Sequence, residues 1–288
     1  MDTTPGPVVQ RRRLRTELRR ARREANLTQE QAARAMDWSL SKVIRIESGA
    51  VGISTNDLKA LLEFYGIHDE ERADELIDLA RASRQSSWWS KYRNDISPQF
   101  LQFLEYEEAA SVLRDYEPLL IPGLLQTEEY ADALIRKLAD PGTPASLIRT
   151  RMEIRLTRQR LLEGDSPPTS IFVIDQAAIQ RIVGERRIAP DQIERLTRLA
   201  NMPNVAIEVV PFSAGLHRGM LESFTILEFP DPEDSDVLFL ETSRDLIISR
   251  DQAGEISGYL EVFEELRSIS LGPAGTTSYL TSLAEQTA

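Results

Sequence analysis

The sequence predicts an α+β protein, with an all-helical domain of five helices followed by a domain that is helical first and then mixed α/β. Up to residue 84, apolar residues recur at helical spacing between Ser, Thr or Asp caps and Gly stops. From residue 170 onward, short apolar and β-branched runs alternate with short helical stretches. A chain of 288 residues is also long enough for two domains. We expect a flexible arm over 1–9, a first domain over 10–84, a second domain over 85–275 and a tail over 276–288.

The clearest local pattern runs from Leu27 to Gly49. Thr28 and Gln31 form a capping box, which predicts a helix from Gln29 to about Met36. A turn at Asp37-Trp38 follows, and a second helix is predicted over about 39–48, capped by Ser39 and stopped by Gly49. Two short helices around a tight turn are typical of a helix-turn-helix, although other amphipathic helix pairs give a similar pattern.

In a helix-turn-helix, the second helix enters the DNA major groove, and the start of the preceding helix faces phosphate. This placement predicts two sets of contacts. The residues expected to reach base edges are Leu40, Ser41, Ile44 and Arg45, and those expected to reach phosphates are Thr28, Gln29 and Lys42. Arg45 is expected to be the strongest reader, because an Arg side chain binds guanine in a bidentate manner.

The stretches LTQEQAARAM and WSLSKVIRIESG resemble lambda-repressor-like helix-turn-helix domains of the xenobiotic-response-element family. The resemblance implies that an Arg of the first helix pairs with the Glu at position 47, and the matching residue is Arg22. We therefore interpret Arg22 and Glu47 as a structural clamp. This chain has Asp37 where the family usually has Gly, and Asp tolerates the left-handed backbone that such a turn needs.

Three further helices complete the predicted first domain. Leu14, Leu18, Ala21 and Ala25 keep helical spacing over 11–25. A helix capped by Ser54 or Thr55 is predicted to extend to Tyr65, and a fifth helix covers 69–84.

Charge is distributed unevenly along the chain. The formal net charge is −12, yet residues 1–50 carry 11 Lys and Arg against 6 acidic residues. Basic charge at one end predicts double-stranded DNA as the partner of the first domain, whereas the acidic remainder repels DNA.

For the second domain, helices are predicted over 97–116, from Thr127 through Ile135, and over 145–163, 176–184, 191–201 and 252–268. Strands are predicted over 170–174, 205–210, 223–229, 237–241 and 246–249. Two sets of charged residues are interpreted as solvated helix faces: the acids Glu105, Glu107 and Glu108, and the arginines Arg149, Arg151, Arg155, Arg158 and Arg160.

The motif IPGLLQTEEYA, with WWSKY before it and RTRMEIRLTRQ after it, resembles a domain of unknown function (the DUF 5753 type). Such domains follow lambda-repressor-like domains in actinobacterial regulators, and the resemblance extends over about residues 88 to 275. It implies a small protein partner encoded nearby.

The segment from Pro211 to Gly219 combines Gly, His and Arg in one loop. Such a loop is suited to cradle an anion, and a simply exposed His beside Arg is the alternative. The candidate residues for a small-molecule ligand or a partner are Gly215, His217, Arg218 and Gly219.

The sequence offers little catalytic chemistry. It has no Cys and two His, so neither a metal nor a cofactor is expected, and it lacks the usual phosphate loops and nucleophile elbows. No apolar run approaches the roughly 20 residues of a membrane span, so the cytoplasm is the expected location, with nucleoid association on binding.

These features predict a non-enzymatic, sequence-specific transcription regulator that binds an inverted repeat as a homodimer and is controlled through its C-terminal domain. The alternative is an antitoxin-like module that sequesters a small protein partner and binds DNA for autoregulation.

Overall fold

The computed structural model describes residues 7–49, 51–85, 87–183, 187–230, 235–241, 246–250 and 254–287, with the backbone alone for 183, 246–250 and 287. The chain divides into two compact units, Met1–Ser90 and Lys91–Ala288. The first is helical and the second combines helices with a sheet, which confirms the predicted α+β class.

Five α-helices form the described part of the first unit: α1 Pro7–Glu24, α2 Gln29–Ala35, α3 Leu40–Glu47, α4 Thr55–Phe64 and α5 Glu70–Ala82. All five contribute apolar side chains to one core, which includes Leu18, Ala32, Val43, Leu58 and Ala80. Because helices this short are marginal alone in water, packing on this core is what keeps them folded.

The first helix begins earlier than predicted. Pro7, Val8 and Val9 belong to α1, so the prediction of a flexible arm is wrong for these residues, and residues 1–6 lie outside the described part. Pro is well tolerated in the first helical turn, where the missing N–H would lack a partner, and Val8 is buried. Pro7 therefore starts a helix rather than ending an arm.

The second unit contains seven described α-helices and six strands. The helices are α6 Pro98–Ala109, α7 Glu128–Leu138, α8 Ala145–Gln159, α9 Gln176–Val183, α10 Ala189–Leu199, α11 Glu255–Ser268 and α12 Gly272–Thr287. The strands are β1 Val112–Glu117, β2 Thr169–Asp175, β3 Val205–Val210, β4 Phe224–Glu228, β5 Val237–Glu241 and β6 Leu246–Arg250. They form one mixed sheet in the order β3-β2-β1-β4-β5-β6, parallel from β1 to β3 and antiparallel from β1 through β4 and β5 to β6.

Strand β1 corrects the predicted helix over 97–116, which ends at Ala109. Leu113 lies four residues after Ala109, so apolar spacing alone extends the helix into this segment. In the structure β1 pairs with β2 on one side and β4 on the other, and Leu113 and Tyr116 are fully buried. Pairing with strands far along the chain thus outweighs the local helical pattern.

The predicted tail over 276–288 is also corrected, because residues 276–287 belong to α12. Leu280 and Leu283 are buried, and the buried Thr276 hydroxyl accepts a hydrogen bond from the Val209 amide at 3.0 Å. The segment is rich in Gly, Thr and Ser, which form helices poorly, so tertiary contacts with β3 stabilise it.

We predict that Leu280→Ala lowers the free energy of unfolding by about 2–4 kcal/mol, because it leaves a cavity beneath α12. Urea unfolding of the full chain, followed by far-UV circular dichroism, measures this loss. Glu285→Ala, on the exposed side of the same helix, is the matched control and should change little. An equally small effect of Leu280→Ala would show that α12 adds no stability.

Candidate nucleic-acid interface

The turn between α2 and α3 has the geometry that its residues predict. Thr28 accepts a hydrogen bond from the Gln31 amide, and the Gln31 side chain accepts one from the Thr28 amide, which completes the capping box. Asp37 adopts a left-handed backbone with φ of 54°, and Ser39 Oγ caps α3 by accepting from the Lys42 amide. These local bonds fix where α3 begins.

Helix α3 presents two different faces. Val43 and Ile46 are buried in the core of the first unit, whereas all four predicted base-reading residues are exposed: Leu40, Ser41, Ile44 and Arg45. Leu40 and Ile44 leave 38% and 44% of their surface exposed, although both are large and apolar. The structure thus places the four residues together on the outer face, and their contact with bases stays a prediction.

Glu47 ends α3 and is buried at 2% exposure. Arg22 of α1 binds it with both ends of the guanidinium, at 2.8 Å from Nε to Oε1 and 3.1 Å from Nη2 to Oε2. Arg22 Nη1 also donates to the Leu27 carbonyl at 2.8 Å, and hydrogen bonding to the Glu47 carboxylate raises the pKa of Arg22. The pair therefore ties α3 to α1 and to the segment that leads into α2.

Tyr65, which the sequence marks only as the end of a predicted helix, also contacts this carboxylate. Its hydroxyl lies 3.5 Å from Glu47 Oε1, and burial raises its pKa above the ordinary value. Tyr65 follows α4, so the Glu47 cluster reaches a further helix.

Two of the predicted phosphate contacts have partners within the protein. The Gln29 amide donates to Glu47 Oε2 at 2.8 Å, and Lys42 Nζ lies 3.3 Å from Asp57 and 3.7 Å from the centre of the Trp38 ring. Thr28 is exposed while its hydroxyl caps α2. Contact of these residues with phosphate stays a prediction. A Gln29 variant also loses the hydrogen bond to Glu47, so a lower DNA affinity of that variant must be separated from an effect on folding.

In the second unit, the loop residues predicted to bind a ligand or partner lie in different environments. The His217 side chain is buried, with Nε2 at 3.3 Å from Asp175 Oδ2, whereas Arg218 is exposed and lies 3.6 Å from Glu265. Gly215 has φ of +72°, and a Cβ at Gly219 would lie 2.6 Å from Tyr116. His217 and Gly219 therefore hold the loop on the sheet, and the alternative of an exposed His is wrong.

This loop and the two residues that follow it also carry exposed apolar side chains. Phe212, Leu216, Met220 and Leu221 expose 59%, 93%, 53% and 88% of their surface. Clustered exposed apolar residues mark interaction surfaces. We call this set the apolar loop.

The helix faces predicted to be solvated are partly buried. Glu107 is 3% exposed and accepts two hydrogen bonds from Arg158, at 2.8 and 2.7 Å. Arg155 donates to Gln126 at 2.8 Å. The surface interpretation is therefore wrong for Glu107, Arg155 and Arg158, because α8 packs these arginines against the interior of the unit.

Within the described part of the chain, no group of three or more His, Asp or Glu side chains is placed to hold a metal ion. Over the same residues, no helix has the length and apolar character needed to cross a membrane.

Comparison with known families identifies both parts of the chain. A family model described as a helix-turn-helix domain matches residues 13–76. A second family model, described as a domain of unknown function (DUF5753), matches residues 100–282 and so covers more than half of the chain. No curated protein and no solved structure shows significant similarity.

We predict that Glu47→Ala lowers the free energy of unfolding of the first unit by about 3 kcal/mol, because it leaves the Arg22 charge buried without its partner. Urea unfolding followed by tryptophan fluorescence reports on this unit, since all three Trp lie in residues 1–90. The double variant Arg22→Met, Glu47→Leu should recover most of the loss, because it removes both charges. Glu30→Ala, which breaks the exposed Arg34 pair, is the control and should change little. A loss no larger than that of the control would contradict the clamp.

Proposed function

This chain belongs to the DUF5753 family, and because a helix-turn-helix domain precedes the DUF5753 domain, we propose that it is a sequence-specific transcription regulator that binds an inverted repeat as a homodimer. The helix-turn-helix match supports DNA binding and regulation. In the proposed complex, the α3 helices of two copies lie in successive major grooves, roughly 34 Å apart.

The observation that carries this proposal is the outer face of α3. Leu40 and Ile44 are apolar yet exposed beside Arg45, while the opposite side of the helix is buried. Apolar side chains next to an Arg suit a groove that presents thymine methyls and guanine acceptors. On this helix, DNA is therefore the partner that fits both kinds of side chain.

Affinity in this proposal comes largely from basic residues of the first unit. Residues 1–50 carry a net charge of +5, and the remainder of the chain carries −17. Neutralising phosphates with Arg and Lys releases counterions, so binding should fall steeply with salt. The acidic remainder is expected to stay away from the DNA, in a cytoplasmic protein that joins the nucleoid when bound.

Control is proposed to act through the second unit, by a small protein partner encoded nearby or by a small-molecule ligand. The apolar loop favours the protein partner as one means of control. Leu216 and Leu221 are almost fully exposed, while His217 and Gly219 between them fix the loop to the sheet. A loop that is anchored to the sheet in this way loses less conformational entropy on binding than an unanchored one.

The second candidate function is the antitoxin-like one, in which sequestering the partner is the main activity and DNA binding serves autoregulation. The apolar loop supports it equally, because the loop offers the same surface in either case. Toxicity of the partner when it is expressed without this protein distinguishes the two functions.

The base-reading prediction concerns Arg45. Arg45→Ala should relax preference at one base pair per half-site, at a cost of about 1–3 kcal/mol on the preferred sequence. Lys42→Ala, and Gln29→Ala where folding is intact, should weaken binding to all sequences alike. Both effects are measured by comparing the affinities of the variants for sequences selected from a random DNA library. Analytical ultracentrifugation of the complex measures the number of chains per site, which we expect to be two.

Circular dichroism of each variant provides the folding control for this experiment, because Lys42 and Gln29 have partners in the protein. An equal loss on every sequence from Arg45→Ala would remove Arg45 as a base reader. A stoichiometry of one chain per DNA site would contradict the proposed homodimer.

The partner prediction concerns the apolar loop. We expect the full chain to retain a small protein from its native cytoplasm at one-to-one stoichiometry, and the double variant Leu216→Ser, Leu221→Ser to lose it. Both side chains are exposed, so folding should be unaffected. Leu119→Ser, at an exposed apolar position that follows β1, is the matched control and should keep the partner. Retention by the loop variant would exclude the loop as the docking surface.

A further inference from the structure

A cavity of about 460 Å³ lies within the second unit, on one face of the sheet. Strands β1, β4 and β5 form its floor, and helices α6, α7 and α8 line its walls. This volume is in the range of pockets that hold small organic molecules. The cavity includes neither the apolar loop nor His217, so it is a separate site.

The floor carries three carboxylates. Asp115 lies opposite Thr225 on β4, Thr225 lies opposite Phe239 on β5, and Glu117 and Glu241 follow two residues after Asp115 and Phe239. Side chains two residues apart on a strand share a face, so the three acids line the same side. Among the described residues, none of these carboxylates forms a hydrogen bond or an ion pair, although all three line the cavity.

Three arginines of α8 also line the cavity: Arg151, Arg155 and Arg158. Arg158 is ion-paired with Glu107, whereas Arg155 donates to the side-chain oxygen of Gln126 and attracts Glu117 and Glu241 only at longer range. Burial raises the pKa of Asp115 to about 7 and also raises the pKa of Glu117. Ionising these groups without a partner is costly, so a bound cation would stabilise them.

The walls are largely apolar and partly aromatic. Phe100 and Phe103 of α6 stack with ring centroids 5.9 Å apart, and Phe103 meets Phe239 edge to face at 4.8 Å. Leu134, Ile135, Leu138 and Ile154 continue the apolar lining. The Arg158 guanidinium already lies over the Phe100 and Phe103 rings, 5.7 Å and 4.9 Å from their centres, so these rings offer a ligand apolar surface.

We propose that this cavity is a binding site for a small organic cation, a primary amine or a guanidinium, carried on an apolar body. The cationic group lies against Asp115, Glu117 and Glu241, and the apolar body packs among Phe100, Phe103 and Ile135. Because Arg158 is paired with Glu107, Asp115, Glu117 and Glu241 outnumber the remaining arginines of the lining, Arg151 and Arg155, which disfavours an anion. Among the described residues, no group of acids is placed to hold a metal ion. As a regulatory ligand this molecule depends on the proposed function, whereas its binding does not.

The charges around Asp115 set the expected pH dependence. Glu117 lies two residues further along β1, Arg158 faces Asp115 from α8, Glu107 from α6 and Glu241 from β5, whereas Arg155 of α8 faces Glu117. A raised pKa means that Asp115 gains its charge as the pH rises through about 7. Affinity for an alkylamine, which stays protonated over this range, should therefore increase between about pH 6 and pH 8.

Isothermal titration calorimetry of the full chain with phenethylamine at about pH 8 tests the site. We expect one-to-one binding with a Kd below about 1 mM. Phenethyl alcohol and phenylpropionate carry the same ring with a neutral and a negative end, so they should bind at least about tenfold more weakly. This comparison needs no variant.

The double variant Asp115→Asn, Glu117→Gln should weaken phenethylamine binding at least about tenfold, because it keeps the shape and removes the charge. Glu261→Gln, an exposed carboxylate on α11, is the control and should bind as the unmodified protein does. Melting temperatures of both variants verify folding, and the probe comparison still decides the question where the double variant fails to fold.

The proposal is overturned if the alcohol or the propionate binds as tightly as phenethylamine, or if a folded double variant binds phenethylamine undiminished. It is also overturned if phenethylamine shows no saturable binding up to about 10 mM, a concentration that would nearly saturate a site with a Kd of about 1 mM. DNA titrations with and without phenethylamine are read separately from the calorimetry. Absence of DNA binding would remove the proposed function and leave the calorimetric result on the cavity intact.

Discussion

Buried carboxylates impose the constraint on which both units depend, because an ionised group removed from water needs partners that replace its hydration. In the first unit Glu47 meets Arg22, Gln29 and Tyr65. Each partner comes from a different helix or its end, so satisfying one carboxylate fixes the position of α3 relative to its neighbours. The orientation of the outer face of α3 therefore depends on this buried cluster as well as on the turn between α2 and α3.

The second unit follows the same rule at two further sites. Glu107 on α6 is matched by Arg158 on α8, and Glu208 on β3 by Arg267 on α11, at 2.7 Å and 2.9 Å. Both pairs connect a carboxylate that is 3% exposed to an Arg from a different element. Pairing between different elements specifies how the helices pack on the sheet, because another placement would leave a buried charge without a partner.

Asp115 and Glu117 depart from that rule, because burial raises the pKa of both and neither forms an ion pair with a described residue. Both line the cavity, and the cation proposed there would offset the cost of ionising them. Groups that reduce stability and line a pocket are typical of binding sites. The apolar loop is an exception of a different kind, because Leu216 and Leu221 are apolar and yet exposed, which suits contact with another protein.

The sequence by itself determined most of the first unit, because caps, stops and apolar spacing are local signals. The capping box at Thr28, the left-handed turn at Asp37 and the outward position of Arg45 follow from residues within a few positions of one another. The Arg22–Glu47 pair was available only from the family resemblance, and the contacts of Gln29 and Tyr65 with Glu47 gave no local sign.

Tertiary structure alone decided β1, α12 and the cavity. Val112–Glu117 reads as the end of a helix until β2 and β4 pair with it, and Gly272–Thr287 forms a helix because β3 receives Thr276. The cavity unites residues from positions 95 to 241, so no stretch of sequence contains it. The physical reason is that strand pairing, burial and charge neutralisation act between residues that are distant along the chain, whereas helix caps and turns act between near neighbours.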